Sequence, residues 1–491
     1  MFEYVLVFLL ILIIWNLLKK PTQYPPGPWG IPLIGYFPFG LKAFHERIKE
    51  LQAKHYPIFS WRFGSKFLVF ICDFKLAKEV LNNQAFADRP SFSFIKVFDG
   101  EINMGITTSN GLTWHNIRRF TLRHMKDLGM GKSKIVSSIQ REANELVEVM
   151  KKQSGTVAPV PHEMSTAIVN ILWQMVAGKR HDLNDAEIIS LDKDMNEFQE
   201  NLGHLMVRDF FPWVDYVLPE SLLNYISKRD MYRKLTKRIE MRFKKDIEEH
   251  IATLDENNPR DFIDEYLIEM EKQKDDPDST MSERDLLGAI ADMFAAGLAT
   301  TSITLHWSVF YLAKYPDIQK DLQDQIDSVL PNGLSPTLEH RSRLPKVEAF
   351  FTEILRHSSL GEFGLPRTTP KDIKFAGHVI PKGAIVFPCE KYIHYDKKVY
   401  NSPEIFNPKR FLDSEGKFVN PKEGFIAFGM GKRQCIGESL ARMEIFIFLV
   451  TMLQHVSFHP PPNKDVIMDN INILVFNIPH LKQDILIKSR F

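Results

Sequence analysis

Three cysteines are spread through the 491 residues, and Cys435 has the setting best suited to chemistry. It lies in Phe428-Gly429-Met430-Gly431-Lys432-Arg433-Gln434-Cys435-Ile436-Gly437, between glycines and just after two basic residues. The run that follows, Ser439 to Phe446, is mostly apolar and free of proline. Its pattern predicts a helix whose N-terminus falls beside the cysteine. The free N–H groups and positive dipole end there favour a thiolate over a thiol. Gly431 and Gly437 would let the backbone pass close to something large and flat. On this loop alone two readings stay open, a ligating thiolate and a buried structural cysteine, because free cysteines are commonly buried.

Other segments carry chemistry-bearing residues at ordered spacing. Trp114 and Arg118 are four apart on a predicted helix and share a face. Such a face could hold a carboxylate group of a cofactor, or it could simply be solvated. Basic residues accumulate around it: Arg118, Arg119, Arg123, Lys126, Lys132 and Lys134, against Asp127 alone. Glu353 and Arg356 are three apart and suit an ion pair on one helix face. The stretch Gly129 to Ser133 lacks the first glycine of a phosphate loop, since residue 126 is lysine, so a nucleotide site is excluded there.

These residues need a scaffold. Ser282 to Tyr315 is a long proline-free stretch, apolar nearly all round, with Ser282 and Asp285 placed for a capping box and Pro316 beyond the end. It predicts a central helix of roughly 50 Å. Ala295 to Thr301 in its middle are small or hydroxylated, which suits close packing with threonines bonded back to carbonyls and a local bend. Residues 135–272 also read as helix, broken at Gly178, Pro212, Pro219 and Pro259. Leu41–Lys54 reads as helix, and strands are expected at Ile58–Phe63, Phe67–Ile71, Ile373–Ala376 and Ala384–Phe387. Ser91–Gly105 reads as a loop, Phe210–Trp213 as an apolar connector, and residues 397–425 as irregular. The class is mainly α with small β-sheets.

Charge is balanced at +1, which gives no reason to expect nucleic acid. The cysteines are isolated, so neither a zinc cluster nor a disulfide framework is expected. Tyr4 to Leu18 is almost wholly apolar and is followed by Lys19 and Lys20. Residues 1–18 therefore read as an uncleaved anchor, with the following chain cytosolic and the N-terminus luminal. Pro25-Pro26-Gly27-Pro28 makes 19–35 a stiff basic, proline-rich hinge. A single domain then covers 36–491.

Taken together, these motifs resemble the cytochrome P-450 family of haem-thiolate monooxygenases. Phe428, Gly431, Arg433, Cys435 and Gly437 match its FxxGxRxCxG loop. Glu353 and Arg356 match its ExxR, Pro408, Arg410 and Phe411 its PxRF, and Trp114 and Arg118 its WxxxR. Ala296 to Thr301 match its oxygen-activation motif apart from one position. The anchor, the hinge and the motif order are similar to the microsomal branch that handles steroids, fatty acids and foreign compounds.

The resemblance implies a fold with a long central helix and a Cys loop enclosing haem b. Cys435 would be the axial thiolate, which favours O–O cleavage. Trp114, Arg118, Arg367 and Arg433 would meet the haem propionates, and Phe428 would pack near the sulfur. Gly431 and Gly437 would leave room for the porphyrin. Glu353, Arg356 and Arg410 would form a buried structural triad. Thr300 would be the catalytic threonine, with Gly297 and Ala299 beside it. Ala299 departs from the family, which usually carries an acid there. Water, Asp292 or a substrate hydroxyl would then feed protons, unless the chemistry is specialised.

Pocket walls would come from Ser91–Met104, Asn201–Phe211, Ile290–Thr300, Leu360–Leu365 and Asn470–Val475. Phe94, Ile95, Phe98, Leu360 and Phe363 suit a lipophilic substrate, while Glu362 reads mainly as surface, the alternative being that it orients a substrate amine or hydroxyl. Arg118–Lys134 with Lys432 and Arg433 would dock a membrane-bound NADPH–cytochrome reductase, with cytochrome b5 as a further donor. The implied site is the endoplasmic reticulum membrane. Two other readings keep the haem: an isomerase or dehydratase of a pre-oxygenated lipid, and a haem- or lipid-binding protein without turnover. Product formation that depends on NADPH and reductase separates the first reading from both.

Overall fold

The computed structural model describes residues 19–31, 33–37, 41–92, 104–127, 133–473 and 476–490. The expected anchor, 1–18, lies outside them. Helix α1 (Leu41–His55) leads into the hairpin β1 (Ile58–Phe63) and β2 (Lys66–Ile71), then α2 (Phe74–Asn82). Asp73 caps α2 by accepting from the Leu76 amide at 3.0 Å. Helices α3 (Gly111–Asp127) and α4 (Ser133–Lys152) come next. Strand β3 (Val157–Pro159) precedes α5 (Glu163–Ala177), α6 (Ala186–Leu205), α7 (Arg229–Thr253) and α8 (Phe262–Lys272).

Helix α9 (Glu283–Lys314) organises the rest. Its start is fixed as expected: the Ser282 hydroxyl accepts from the Asp285 amide at 3.1 Å and donates to the Asp285 carboxylate at 2.7 Å. Leu298 and Leu305–Ala313 are buried because α9 crosses the middle of the molecule and packs against α5 and α7. Among the described residues it is the one helix long and apolar enough to cross a membrane, but it forms the core of the domain. Its helical assignment is unbroken through Gly297. Helices α10 (Pro316–Val329) and α11 (Pro345–Ser358) follow, each begun by a proline at its first position, where the missing N–H costs nothing.

Strands β4 (Arg367–Thr368), β5 (Ile373–Phe375), β6 (His378–Ile380) and β7 (Ile385–Pro388) precede an irregular stretch and α12 (Glu438–His455). Strands β8 (Val456–His459), β9 (Ile471–Ile473), β10 (Phe476–Ile478) and β11 (Asp484–Ser489) end the chain. The main sheet runs β1-β2-β7-β4, with β2 parallel to β7 in the register Leu68↔Ile385. Phe59, Trp61 and Phe70 are buried on one face of it and Ile58, Val69 and Ile71 on the other. The strand expected at 373–376 is a hairpin arm: Ala376-Gly377 turns it back, both with positive φ. Helix α12 packs under α4 and α9, which sets the Cys435 loop beneath the middle of the molecule.

Candidate functional site

Cys435 lies immediately before α12, as its sequence predicts. Its amide donates to the Phe428 carbonyl at 2.9 Å, closing the loop. The amides of Gly437 and Glu438 point at its sulfur. Burial raises the thiol pKa, and those amides together with Arg118 only partly oppose it. The amides at the helix start act on the sulfur in the direction the dipole predicts. The sulfur nevertheless belongs to an exposed residue, open to a partner.

Gly431 and Gly437 differ in what surrounds them. Gly431 has φ +69°, and a Cβ there would sit 2.2 Å from the Leu81 carbonyl oxygen. The crossing of α2 over this loop by itself requires glycine here. A Cβ on Gly437 meets only the Cys435 sulfur, at 3.9 Å. Phe428 is partly buried against the main core, with the Arg442 guanidinium 4.9 Å from its ring centre.

Four guanidinium groups converge near the loop. Arg433 is buried and donates to the carbonyls of Ala87 (3.0 Å), Ile106 (3.2 Å) and Ser109 (2.6 Å) and to the Asn110 side chain. It also lies 4.0 Å over the Trp114 ring. Arg118 donates to the Gln434 carbonyl at 2.6 Å. Arg367 is 3% exposed and its Nε has no partner, nor does the indole N–H of Trp114.

Arg89, which the sequence reading missed, completes the set. It donates to the carbonyls of Thr107, Leu365 and Pro366. Desolvation and mutual repulsion depress these groups, Arg367 to about 10 and Arg433 to about 9. Buried cations that repel one another beside two orphan donors form an incomplete site. A group with two carboxylates satisfies it, so the residues present fit haem propionates.

On α9, Thr300 Oγ1 donates to the Ala296 carbonyl at 2.7 Å, and Ala299 is buried. Gly297 is a packing notch, since a Cβ there would press on both Leu172 methyl groups at 3.0 Å. This is where α9 and α5 pack closely. Asp292 does not stand free as a proton source either. Its Oδ2 accepts from the amides of Ile106 (2.6 Å) and Thr107 (2.8 Å), clamping that loop onto α9.

The triad is formed as expected. Arg356 grips Glu353 through Nε (2.7 Å) and Nη2 (2.9 Å), and Arg410 Nε reaches the same carboxylate at 3.0 Å. Both arginines also bind carbonyls of the irregular stretch, among them His394, Pro403 and Ile405.

Two pocket expectations change. Phe363 turns into the aromatic cluster with Phe44, Phe70 and Phe387. Glu362 is not on the surface but 4% exposed, 3.3 Å from His45 and 3.5 Å from Lys391. Burial raises its pKa, but these partners outweigh that and hold it below its ordinary value. Phe94, Ile95 and Phe98 lie outside the described residues.

A mainly helical body that presents a cysteine at a helix start beside a cationic, half-satisfied cradle defines a protein built to carry an anionic cofactor. Comparison with known proteins says which. The cytochrome P450 family model matches residues 25–484. Cytochrome P450 2L1 of Panulirus argus is 38% identical over 450 residues, 90% of each chain. Cytochrome P450 2B4 of Oryctolagus cuniculus is 34% identical over 467 residues, 94% of this chain and 93% of that one. Cytochrome P450 2C8 of Homo sapiens is 34% identical over 456 residues, 92% and 91%. The chain belongs to the cytochrome P450 family. It is a monooxygenase that binds haem through a cysteine thiolate and works with a redox partner on a small-molecule substrate.

Proposed function

We propose that Cys435 would supply the thiolate that holds haem b and that Trp114, Arg118, Arg367, Arg433 and Arg89 would hold its propionates. The observation that carries this is the cluster of buried guanidinium groups beside two orphan donors, next to an exposed cysteine. When bound, a thiolate-ligated haem supplies oxygen activation. The chain supplies the rest. The amides of Gly437 and Glu438 stabilise negative charge on sulfur. Arg118 and Arg367 would donate charge-assisted bonds to the haem carboxylates, which would offset their mutual repulsion. The Glu353–Arg356–Arg410 triad fixes the irregular stretch that leads into the Cys loop. Thr300 holds its hydroxyl proton on the Ala296 carbonyl and must release that bond to donate elsewhere.

The substrate is lipophilic, the electrons come from NADPH through a membrane-bound reductase with cytochrome b5 as a further donor, and the catalytic body faces the cytosol on the endoplasmic reticulum. Support for the membrane comes from an apolar face that joins the hinge to the 207–225 segment. Leu33, Phe37, Tyr216, Val217 and Tyr225 are exposed there, Trp213 donates to the Leu33 carbonyl at 3.1 Å, and Phe37 meets Phe211. On the donor side Lys432 is exposed, whereas Arg123 is partly neutralised by Glu269 at 3.3 Å.

The test is a haem absorbance screen over steroids, fatty acids, terpenoids and xenobiotics, followed by turnover with NADPH and reductase. Oxygenated product from a lipophilic binder is expected, with a rate that falls as salt rises. Conversion of a hydroperoxide alone, without reductase, contradicts the proposal.

A further inference from the structure

The hinge and the β1–β2 hairpin share an open depression of about 370 Å³. Tyr24 and Trp29 of the hinge and Phe67 of β2 line it, with the Phe67 ring centre 5.2 Å from that of Tyr24 and 5.9 Å from that of Trp29. Lys19, Arg62 and Lys66 line it as well. Arg62 is half-buried, its guanidinium 4.7 Å from the centre of the Trp29 ring. Among the described residues none of these three cations has an acidic partner or a side-chain hydrogen bond. Asp372, whose charge reaches Tyr24, accepts from the Lys382 amide at 2.7 Å. The walls are fixed by other groups. Lys20 Nζ donates to the Gly27 carbonyl at 3.0 Å and to Ser60 Oγ at 2.9 Å, and the Arg62 amide donates to the Pro28 carbonyl at 3.2 Å.

Three uncompensated cations around a concave aromatic wall form a site that lacks an anion. We propose that this depression binds the phosphate of one anionic phospholipid headgroup. This rests on the reading that the hinge side of the body faces the membrane, and it adds a lipid that the reading does not name. Two placements favour a lipid phosphate over a free one. Lys19 directly follows residues 1–18, the expected anchor, which puts the cations at headgroup depth. Ser65 also lines the depression, and its amide donates to the Phe210 carbonyl at 2.7 Å, so the rim joins the apolar face of Leu33, Phe37 and Trp213. Phosphate oxygens accept charge-assisted bonds from Arg62, Lys66 and Lys19. The rings cover the glycerol end, a division into apolar and wet parts that suits Tyr and Trp at a membrane surface. A zwitterionic headgroup brings its own cation and offsets less of the charge. Burial alone pulls the Arg62 pKa below its ordinary value, and an anion relieves that.

Native mass spectrometry of the full-length, haem-loaded protein released from detergent reads the site without needing a membrane. One retained lipid per chain is expected with phosphatidylserine and none with phosphatidylcholine. Arg62→Gln and Lys66→Gln are each expected to lower the affinity for phosphatidylserine, read from a lipid titration, by about fivefold, and the pair to abolish the preference. Lys272→Gln, which removes an exposed lysine on α8, is expected to leave it unchanged. Inorganic phosphate in excess is expected not to displace the lipid. Displacement by phosphate assigns the site to a soluble anion and overturns the proposal, as do equal retention of the two lipids and unchanged affinity in both variants. Flotation on phosphatidylcholine vesicles tests the membrane reading separately. A protein that floats but shows no preference for phosphatidylserine overturns the lipid site alone. One that does not float overturns the membrane reading, while the mass spectra still decide the site.

Discussion

Glu353→Ala should cost the protein much of its stability margin. The Glu353 carboxylate is fully buried and accepts from Arg356 twice, from Arg410 and from the Asn407 amide at 2.8 Å. Removing it leaves Arg356, also fully buried, with a charge facing no anion, which costs about 3–5 kcal/mol. The stranded Asn407 amide adds about 1–3 kcal/mol. Arg356 keeps the carbonyls of His394 and Pro403, which holds the total near the lower part of the sum. A net loss of about 5 kcal/mol is a large share of the roughly 5–15 kcal/mol typical of folded domains. With unfolding entropy of about 2.1 cal/mol/K per residue over about 450 residues, it lowers the unfolding temperature by about 5 °C. Calorimetry and the haem-to-protein ratio read the effect. Glu353→Gln, which keeps the shape and an acceptor, should fall between. An unfolding temperature within about 1 °C of wild type, with full haem content in Glu353→Ala, refutes the reasoning.

Three further outcomes follow from the same structure. Arg367→Gln removes one charged donor worth about 1.5–3 kcal/mol, so haem should dissociate about ten- to a hundredfold more readily, measured by transfer to a haem scavenger. Gly431→Ala should abolish haem-loaded protein, because its Cβ would meet the Leu81 carbonyl at positive φ, whereas Gly437→Ala should fold and load; expression and absorbance compare them. Glu444 has a folded pKa of about 8 against an ordinary value of 4.5. The folded state therefore binds the extra proton between those values, and its stability is full below about pH 4.5 and falls as pH rises toward 8. Thermal unfolding across pH 5 to 8 should decline less steeply in Glu444→Gln.

The parts legible in sequence were those in which residue type and spacing leave few alternatives. Ser282, the absence of proline and the apolar periphery fixed α9 to within one residue at each end. The Cys435 loop and the Glu353–Arg356–Arg410 contacts also emerged as expected, because buried ion pairs and helix starts need particular residues. What local pattern does not carry is which distant segment packs on a residue. Gly431 answers to Leu81, Gly297 to Leu172, and Glu362 to His45, none of which is near in sequence. Arg89 sits between Asp88 and Pro90 in a stretch without helical or strand periodicity, so nothing local marked it as a buried cation. Glu444 did leave a signal: a lone acid between Met443 and Ile445, in a stretch that is apolar on every side of the helix, must be buried.

The central claim, that Cys435 supplies the metal-binding thiolate, is tested most directly by iron-edge X-ray absorption on the haem-loaded protein. The wild type should show one sulfur neighbour at the iron, and Cys435→His should show none while retaining haem in the same cradle. Cys72 and Cys389 are both fully buried in another part of the fold. A sulfur neighbour that persists in Cys435→His would contradict the account.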